Sequence, residues 1–361
     1  MLGIEIDRNR IFGLDFLRAL AIFFVVHGHG SFLLSGSRIS FLNAIPFPDV
    51  VDIFFVLTGF LIGGSFLSYS QKHDGVDFRK TLRFYGRTFL RILPNYYVIL
   101  IINYLLVEYQ LIPGNTQQFP IWQFATFTQN LFTPFYGFFW ESWCLPVQWW
   151  FYILFPLLLV IFSKRGKMKC LVPVICLAFV AFSIGYRIVV FDHAADNFWW
   201  GVWIRKTVAS RVDCIYIGVL VAWVRMYAPD FWSRHAVKSL VAGLILMLIV
   251  ILLPQHPGTW YKNVVSSTLQ AVSFALLLPY AASVTCCRTV FGKIVSHISV
   301  LSYSMYLVNL LVAQLIVANF ADRFQSWGAW GYVVYWIMVV IASYTLYIIV
   351  EWPFDKLRTK I

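Results

Sequence analysis

The first apolar segment of the chain carries four side chains that could take part in ionic or acid–base chemistry: Asp15, Arg18, His27 and His29. On a helix, Asp15 and Arg18 share a face because they are three residues apart. His29 follows Arg18 by nearly three full turns, which places it on that face about 16 Å farther along the axis. His27 points to nearly the opposite side. The spacing predicts a polar stripe with an ion pair at one end and an imidazole, a potential general base, at the other.

A charged side chain at the centre of a membrane helix costs about 2.5–3.5 kcal/mol, so such residues are functional candidates. A structural interpretation of the stripe is also open from the residues alone. Asp15 and Arg18 would then anchor the helix at the membrane interface, and His29 would be a hydrogen-bonded packing residue.

The second apolar segment begins with another acidic residue, Asp52. Asp52 could orient His29, since both would lie toward the outer side, or it could simply cap the helix. Thr58 and Gly59 would lie near the middle of this helix, where small residues normally permit close packing.

The stretch 112–146 contains no Lys or Arg but many aromatic residues. Such residues form an interfacial belt in many membrane proteins, or they could present a surface on which a sugar stacks. Farther along, Arg211 and Asp213 could line the outer mouth of a site or form an interfacial salt link.

The elements that position these residues are membrane helices. Of 361 residues, 60% are hydrophobic and 12% charged, against about 25% charged in soluble proteins. Apolar runs of about 20 residues recur, long enough to span a hydrocarbon core of about 30 Å. The first run, which follows Arg8 and Arg10, is too long for a signal peptide and predicts a retained helix. The net charge of +12 lies in short clusters between apolar runs, which argues against a nucleic-acid partner.

The runs predict an all-α bundle of about ten transmembrane helices that forms a single membrane domain over residues 1–361, with no separate soluble domain. Most Lys and Arg residues fall in segments that are inside the cell when both termini are cytoplasmic. The six cysteines form no metal-ligand pattern. The predicted helices are 12–33, 50–69, 92–111, 147–163, 170–190, 207–226, 237–254, 262–283, 297–319 and 329–351.

Six segments, in this order, resemble motifs of the acyltransferase-3 family of membrane proteins. The first resembles an Arg-x10-His signature, and the second has Thr58 where the family usually has Ser. The six segments are 13–21 with His29, 51–61, Arg87 with 91–94, 143–152, 302–307 and 351–354.

The resemblance implies a membrane O-acyltransferase that takes acetyl or a similar short acyl group from acyl-CoA. The acceptor would be a hydroxyl of a cell-surface or lipid-linked glycan, as in exopolysaccharide or lipopolysaccharide biosynthesis. The protein would be a multi-pass protein of the bacterial inner membrane, with membrane lipid around it and acyl-CoA as a substrate rather than as a bound cofactor. No metal is implied.

The resemblance also suggests roles for individual residues. His29 would be the general base or a transient acyl carrier, with Asp52 as a further catalytic residue. The phosphates of acyl-CoA would bind arginine side chains, which suit such groups: Arg18, Arg87 and Arg91. The acceptor would contact aromatic and polar residues: Trp143, Gln148, Tyr152, Arg211 and Asn309.

Two positions depart from the family pattern. Residue 148 is Gln where Glu is usual, and residue 309 is Asn where His commonly occurs. Both substitutions keep hydrogen-bonding ability and remove a titratable group. An alternative function is therefore that of a catalytically impaired partner or scaffold. A small-solute transporter is another alternative, because buried charges and Pro-interrupted helices also mark transport pathways, although no inverted repeat is visible.

Overall fold

The computed structural model describes residues 10–35, 37–73, 76–162, 168–358 and 360. Within this part of the chain the regular structure is helical. The main helical segments in chain order are α1 Phe12–Leu34, α2 Val51–His73, α3 Phe78–Glu108, α4 Trp140–Phe162, α5 Met168–Val189, α6 Asn197–Arg205 with Val208–Tyr227, α7 Ala236–Leu252, α8 Tyr261–Ser283, α9 Val290–Phe324 and α10 Ala329–Arg358.

The prediction of a polytopic helix bundle is confirmed. Eight of these segments in the described residues are long and apolar enough to cross a membrane. The two parts of α6 meet at a bend of 57° and together could form a ninth span. Helix α7 has 17 residues and is about 26 Å long, slightly less than the hydrocarbon thickness. Each predicted helix overlaps one of the observed segments.

The largest difference is at α3, which begins at Phe78 and not at residue 92. The basic cluster of residues 79–91, which lies before the predicted helix 92–111, is therefore helical as well. Asp77 caps this helix, and its side chain accepts a hydrogen bond from the backbone N–H of Arg79. Arg8 and residue 163 lie outside the described residues, and the side of the membrane that holds the termini stays a prediction.

The helices that carry most of the polar candidates are at the centre of the bundle. In α9, 67% of the most apolar window is buried, against 28% in α5 and in α10. Helix α1 packs against α9 and α8, and α2 packs against α6. The polar face of α1 is consequently turned toward other helices.

Helices α2 and α6 are in direct backbone contact. A side chain on Gly218 of α6 would overlap the carbonyl oxygen of Val56 in α2, and one on Gly59 of α2 would overlap the carbonyl oxygen of Ile215 in α6. The close packing expected at Gly59 is therefore present. It brings the turns that precede these glycines close enough for an ion pair between Asp52 and Arg211.

Substituting Gly218 by Ala should destabilise the bundle by about 1–3 kcal/mol, because backbone atoms cannot move aside for the new methyl group. Thermal denaturation of the detergent-purified protein, followed by size-exclusion chromatography, should show a lower midpoint temperature. Gly185→Ala in α5 is the matched control, since its new methyl group would meet no other atom within 4 Å. Equal midpoints for the two variants would contradict the close contact.

Candidate functional site

Two cavities of about 590 Å³ and about 610 Å³ lie beside α1, one toward each end of its polar stripe. Arg18 lines the first, which we call the Arg18 cavity, and His29 lines the second, which we call the His29 cavity. Helix α4 contributes side chains to both, and Tyr306 of α9 lines both. The two cavities therefore adjoin within the bundle.

The Arg18 cavity is strongly basic. Arg18 from α1, together with Arg87 and Arg91 from α3, lines it, so the structure brings together the three arginines chosen from the sequence. Arg358 from the last turn of α10 also lines it, a residue that the sequence analysis did not identify. Among the described residues no Asp or Glu side chain lines this cavity. The arrangement suits an anion with several charged groups.

The Arg18 guanidinium is available to a ligand because Asp15 is paired with other residues. The predicted ion pair between Asp15 and Arg18 is absent from the described structure. Asp15 instead accepts hydrogen bonds from Arg10, at 2.5 and 2.8 Å, and from the Ser299 hydroxyl at 2.8 Å. The spacing rule could not anticipate this, because Arg10 precedes the helix and Ser299 lies on α9. The Arg18 guanidinium is left facing the cavity.

Two residues predicted to contact the acceptor lie in the Arg18 cavity. The Tyr152 hydroxyl donates a hydrogen bond of 3.1 Å to Gln148 Oε1, and both residues line this cavity together with Cys144. Trp143, by contrast, lines the His29 cavity. The direction of α4 explains the separation, because each residue advances about 1.5 Å along the helix away from Trp143.

His29 is held by Asn309 of α9 through a short hydrogen bond from Nδ1 to Oδ1. Both hydrogens of the Asn309 amide are already used, since its nitrogen donates to the backbone carbonyls of Met305 at 2.9 Å and Tyr306 at 2.7 Å. The Asn309 oxygen must therefore face His29, and His29 Nδ1 must carry the proton in this bond. In neutral His29 the other nitrogen, Nε2, is then an unprotonated acceptor.

His27 has a different helix as its neighbour. Its Nδ1 lies 2.8 Å from the Tyr332 hydroxyl of α10, whereas His29 is bonded to α9. His27 is buried and forms part of the wall of the His29 cavity. The packing role that the sequence left open for His29 fits His27 better.

Asp52 does not orient His29. It forms a buried ion pair with Arg211 and also accepts a hydrogen bond of 2.7 Å from Gln270 Nε2. Arg211 and Asp213 are not paired with each other either, because Asp213 binds Arg187 at 2.6 Å. On α6, consecutive polar residues point to different neighbours, so proximity in sequence was a poor guide to their partners. Arg211 lines a smaller cavity of about 320 Å³ next to the His29 cavity.

The His29 cavity combines indole rings with basic groups. Three tryptophans line it, each with a cation over its ring: Lys206 over Trp140 at 3.9 Å, Arg205 over Trp143 at 5.3 Å and Lys262 over Trp200 at 4.0 Å. Such pairs hold both partners in place. The sequence indicated the aromatic richness of 112–146 but not this pairing, because the basic residues come from α6, the break within it and α8.

Asp49 also lines this cavity and is bound by Arg205 through two hydrogen bonds of 2.6 and 3.1 Å. Burial raises the pKa of the Asp49 carboxyl, but the charge and hydrogen bonds of Arg205 outweigh burial and hold the pKa below its ordinary range. Asp49 is therefore ionised at neutral pH. The ion pair fixes the segment just before α2 and holds Arg205 at the wall of the cavity.

Tyr306 forms the partition between the two cavities. Its ring is 6% exposed, and its hydroxyl donates a hydrogen bond of 2.8 Å to the backbone carbonyl of Glu141. Its own carbonyl accepts the hydrogen bond from Asn309 described above. The sequence analysis placed Tyr306 within a matching motif but assigned it no role. The structure connects it to both cavities and, through Asn309, to His29.

Tyr306→Ala should join the two cavities, because it removes the ring that lines both. Cys144, which is buried and lines the Arg18 cavity, offers a test in a variant whose other five cysteines are replaced by serine. A membrane-impermeant thiol reagent added on the His29 side of the membrane should label Cys144 in Tyr306→Ala and not in Tyr306→Phe. Equal labelling of the two variants would show that Tyr306 is not the partition.

Comparisons with known proteins agree on one family. A family model described as an acyltransferase domain matches residues 11–352. Proteins of Staphylococcus aureus strains COL, MSSA476 and MRSA252, each named "Putative O-acetyltransferase", are 24% identical over 378 residues. The alignments cover 95% of this chain and 57% of each relative, so the chain spans little more than half their length. No solved structure matches.

Proposed function

This chain belongs to the acyltransferase-3 family, and on that premise we propose that it is a membrane O-acyltransferase that moves a short acyl group, acetyl in the simplest case, from acyl-CoA to a hydroxyl of a glycan. The observation that carries the proposal is the pair of adjoining cavities along α1, one basic and one containing a histidine with an unprotonated ring nitrogen. A donor and an acceptor that enter from opposite ends of the bundle could meet at Tyr306.

The Arg18 cavity suits the donor. Coenzyme A carries phosphate groups, and the guanidinium groups of Arg18, Arg87 and Arg91 supply paired N–H donors that match phosphate oxygens. About 16 Å of helix separates Arg18 from His29, a distance comparable to the length of the pantetheine arm. A thioester at the end of that arm would reach the partition between the cavities.

The His29 cavity suits a glycan acceptor. Tryptophan rings offer flat apolar surfaces against which a sugar ring can stack, and Arg205, Lys206 and Lys262 offer hydrogen-bond donors for its oxygens. Solute sites typically combine such apolar walls with a few placed polar groups. The relatives are named for O-acetyl transfer, which agrees with acetyl as the group and a hydroxyl as the acceptor.

His29 then acts as the general base. Its Nε2 removes the proton of the acceptor hydroxyl while the hydroxyl oxygen bonds to the thioester carbonyl carbon. Collapse of the tetrahedral intermediate breaks the carbon–sulfur bond, and the proton passes from His29 to the departing thiolate. Asn309 holds His29 in the tautomer that this step requires, as an acceptor for the Nδ1 proton.

The two departures from the family pattern are compatible with this chemistry. Asn309 accepts a hydrogen bond from His29 Nδ1 and needs no ionisable group to do so. Gln148 likewise accepts a hydrogen bond from the Tyr152 hydroxyl in the donor cavity. Neither position needs an ionisable group in the proposed step. This argues against the impaired partner or scaffold.

By its apolar helices the protein belongs in a membrane, and we place it in the bacterial inner membrane. There the Arg18 cavity would face cytoplasmic acyl-CoA and the His29 cavity would face the cell surface. The acceptor would be a surface polysaccharide, or a lipid-linked precursor of one.

Arg18→Ala and His29→Ala should affect different steps. Arg18→Ala should raise the KM for acetyl-CoA about tenfold, the effect of losing one charge-assisted hydrogen bond to phosphate, and should leave acetyl-CoA-dependent transfer measurable. His29→Ala should abolish transfer without weakening acetyl-CoA binding. Transfer of labelled acetyl groups in membranes gives the kinetics, and mass spectrometry of the envelope glycans identifies the added ester.

Arg79→Ala is the matched control for Arg18, since Arg79 is exposed on α3 and does not line the cavity. It should leave the KM for acetyl-CoA unchanged. Full transfer by His29→Ala at normal protein abundance would exclude His29 as the base. No difference in glycan mass between cells with and without the protein would exclude the proposed reaction on those glycans.

A further inference from the structure

We propose that Glu141 binds the acceptor through a second hydroxyl, next to the hydroxyl that is acylated, so that the enzyme selects acceptors with neighbouring hydroxyls. Glu141 lies in the turn at the start of α4 and lines the His29 cavity. The inference rests on the proposed function, because it names the acceptor that the same cavity would hold.

Glu141 differs from the other carboxyl group at the site because one of its carboxyl oxygens has no hydrogen-bond partner. Among the described residues that line either cavity, the acidic side chains are Asp49 and Glu141. Asp49 is occupied by the two hydrogen bonds from Arg205. Glu141 forms no ion pair in the described structure, and its Oε1 is buried without any hydrogen-bond partner.

A buried oxygen without a partner is costly, because it has lost its hydrogen bonds to water without replacing them. Glu141 is only 3% exposed, so bulk water does not compensate. Buried polar atoms of this kind are rare in folded proteins. A ligand hydroxyl in the cavity would supply the missing donor.

Hydrogen bonds connect Glu141 to the proposed base. The Glu141 carbonyl accepts from the Tyr306 hydroxyl, the Tyr306 carbonyl accepts from Asn309, and Asn309 accepts from His29. These bonds tie the backbone of Glu141, through Tyr306 and Asn309, to the helix that holds His29. Two acceptor atoms held in one cavity match two hydroxyls on one rigid ring better than a single hydroxyl.

The ligand class follows from this chemistry. Glu141 accepts a hydrogen bond from one hydroxyl of the acceptor, and His29 removes the proton of another. The acceptor therefore needs two neighbouring hydroxyl groups. Sugar rings provide such pairs, and the tryptophans of the cavity fit their apolar faces. A glycerophosphate or a simple alcohol would leave either the carboxyl group or the aromatic surface unused.

The test uses membrane vesicles that contain the full chain, labelled acetyl-CoA and, as the acceptor, envelope glycan of the same cells after mild alkaline removal of its esters. Glu141→Ala should raise the KM for this glycan at least tenfold, while the maximal rate per protein changes less than threefold and the KM for acetyl-CoA is unchanged. Glu141→Gln, whose amide oxygen can still accept a hydrogen bond, should raise the glycan KM about threefold. Glu108→Gln, on an exposed residue of α3, is the control and should match the wild type.

An unchanged glycan KM in Glu141→Ala, at normal abundance, would overturn the inference. A collapse of the maximal rate in Glu141→Gln at unchanged KM would also overturn it, because Glu141 would then transfer protons rather than bind a hydroxyl. If Glu141→Ala does not accumulate, the KM shift of Glu141→Gln decides. Absence of transfer by the wild type on every glycan fraction would instead reject the proposed function, and the inference with it.

Discussion

The hydrogen bond between His29 and Asn309 is the interaction on which the chemistry of this site depends. It crosses from α1 to α9, two helices at the centre of the bundle, and fixes both the position and the protonation of the imidazole. Asn309 can do this because its own amide is anchored by two carbonyls of the preceding helical turn. The packing of α1 against α9 therefore determines the geometry of the base, and the rest of the bundle holds those two helices in place.

A second constraint is that charge inside a membrane protein must be compensated. Asp15, Asp52 and Asp213 all meet this requirement through arginine partners. Among the described residues Arg18 forms no ion pair, and one buried oxygen of Glu141 has no hydrogen-bond partner. Each of these residues faces one of the two cavities. Where the protein leaves a polar group without an internal partner, a substrate is the natural partner, so these two residues mark the two ends of the proposed reaction path.

Much of this fold was predictable because a hydrocarbon core imposes helix length and apolar composition on the sequence. The polar stripe of α1 and the arginines at residues 18, 87 and 91 were predictable for the same reason, since charge within or beside such helices stands out. Partners between distant helices were not. Arg211 pairs with Asp52 because the bundle brings α6 against α2, and Ser299 donates a hydrogen bond to Asp15 because α9 packs against α1.

Glu141 was missed for another reason: it lies among aromatic residues in a stretch that composition alone describes as interfacial. Its significance depends on its burial and on a carboxyl oxygen without a hydrogen-bond partner, and both can be seen only in the structure. The placement of Gln148 in the donor cavity likewise required the direction of α4, because the motif that contains it extends from one cavity to the other.

The central claim is that donor and acceptor approach the partition from opposite faces of the membrane. Sealed vesicles of both orientations, supplied with membrane-impermeant labelled acetyl-CoA on the outside only, test it most directly. The account predicts that glycan enclosed in the lumen is labelled when the Arg18 face of the protein points outward, and that vesicles of the opposite orientation label glycan only after permeabilisation. Efficient labelling when acetyl-CoA and glycan are confined to the same face would contradict it.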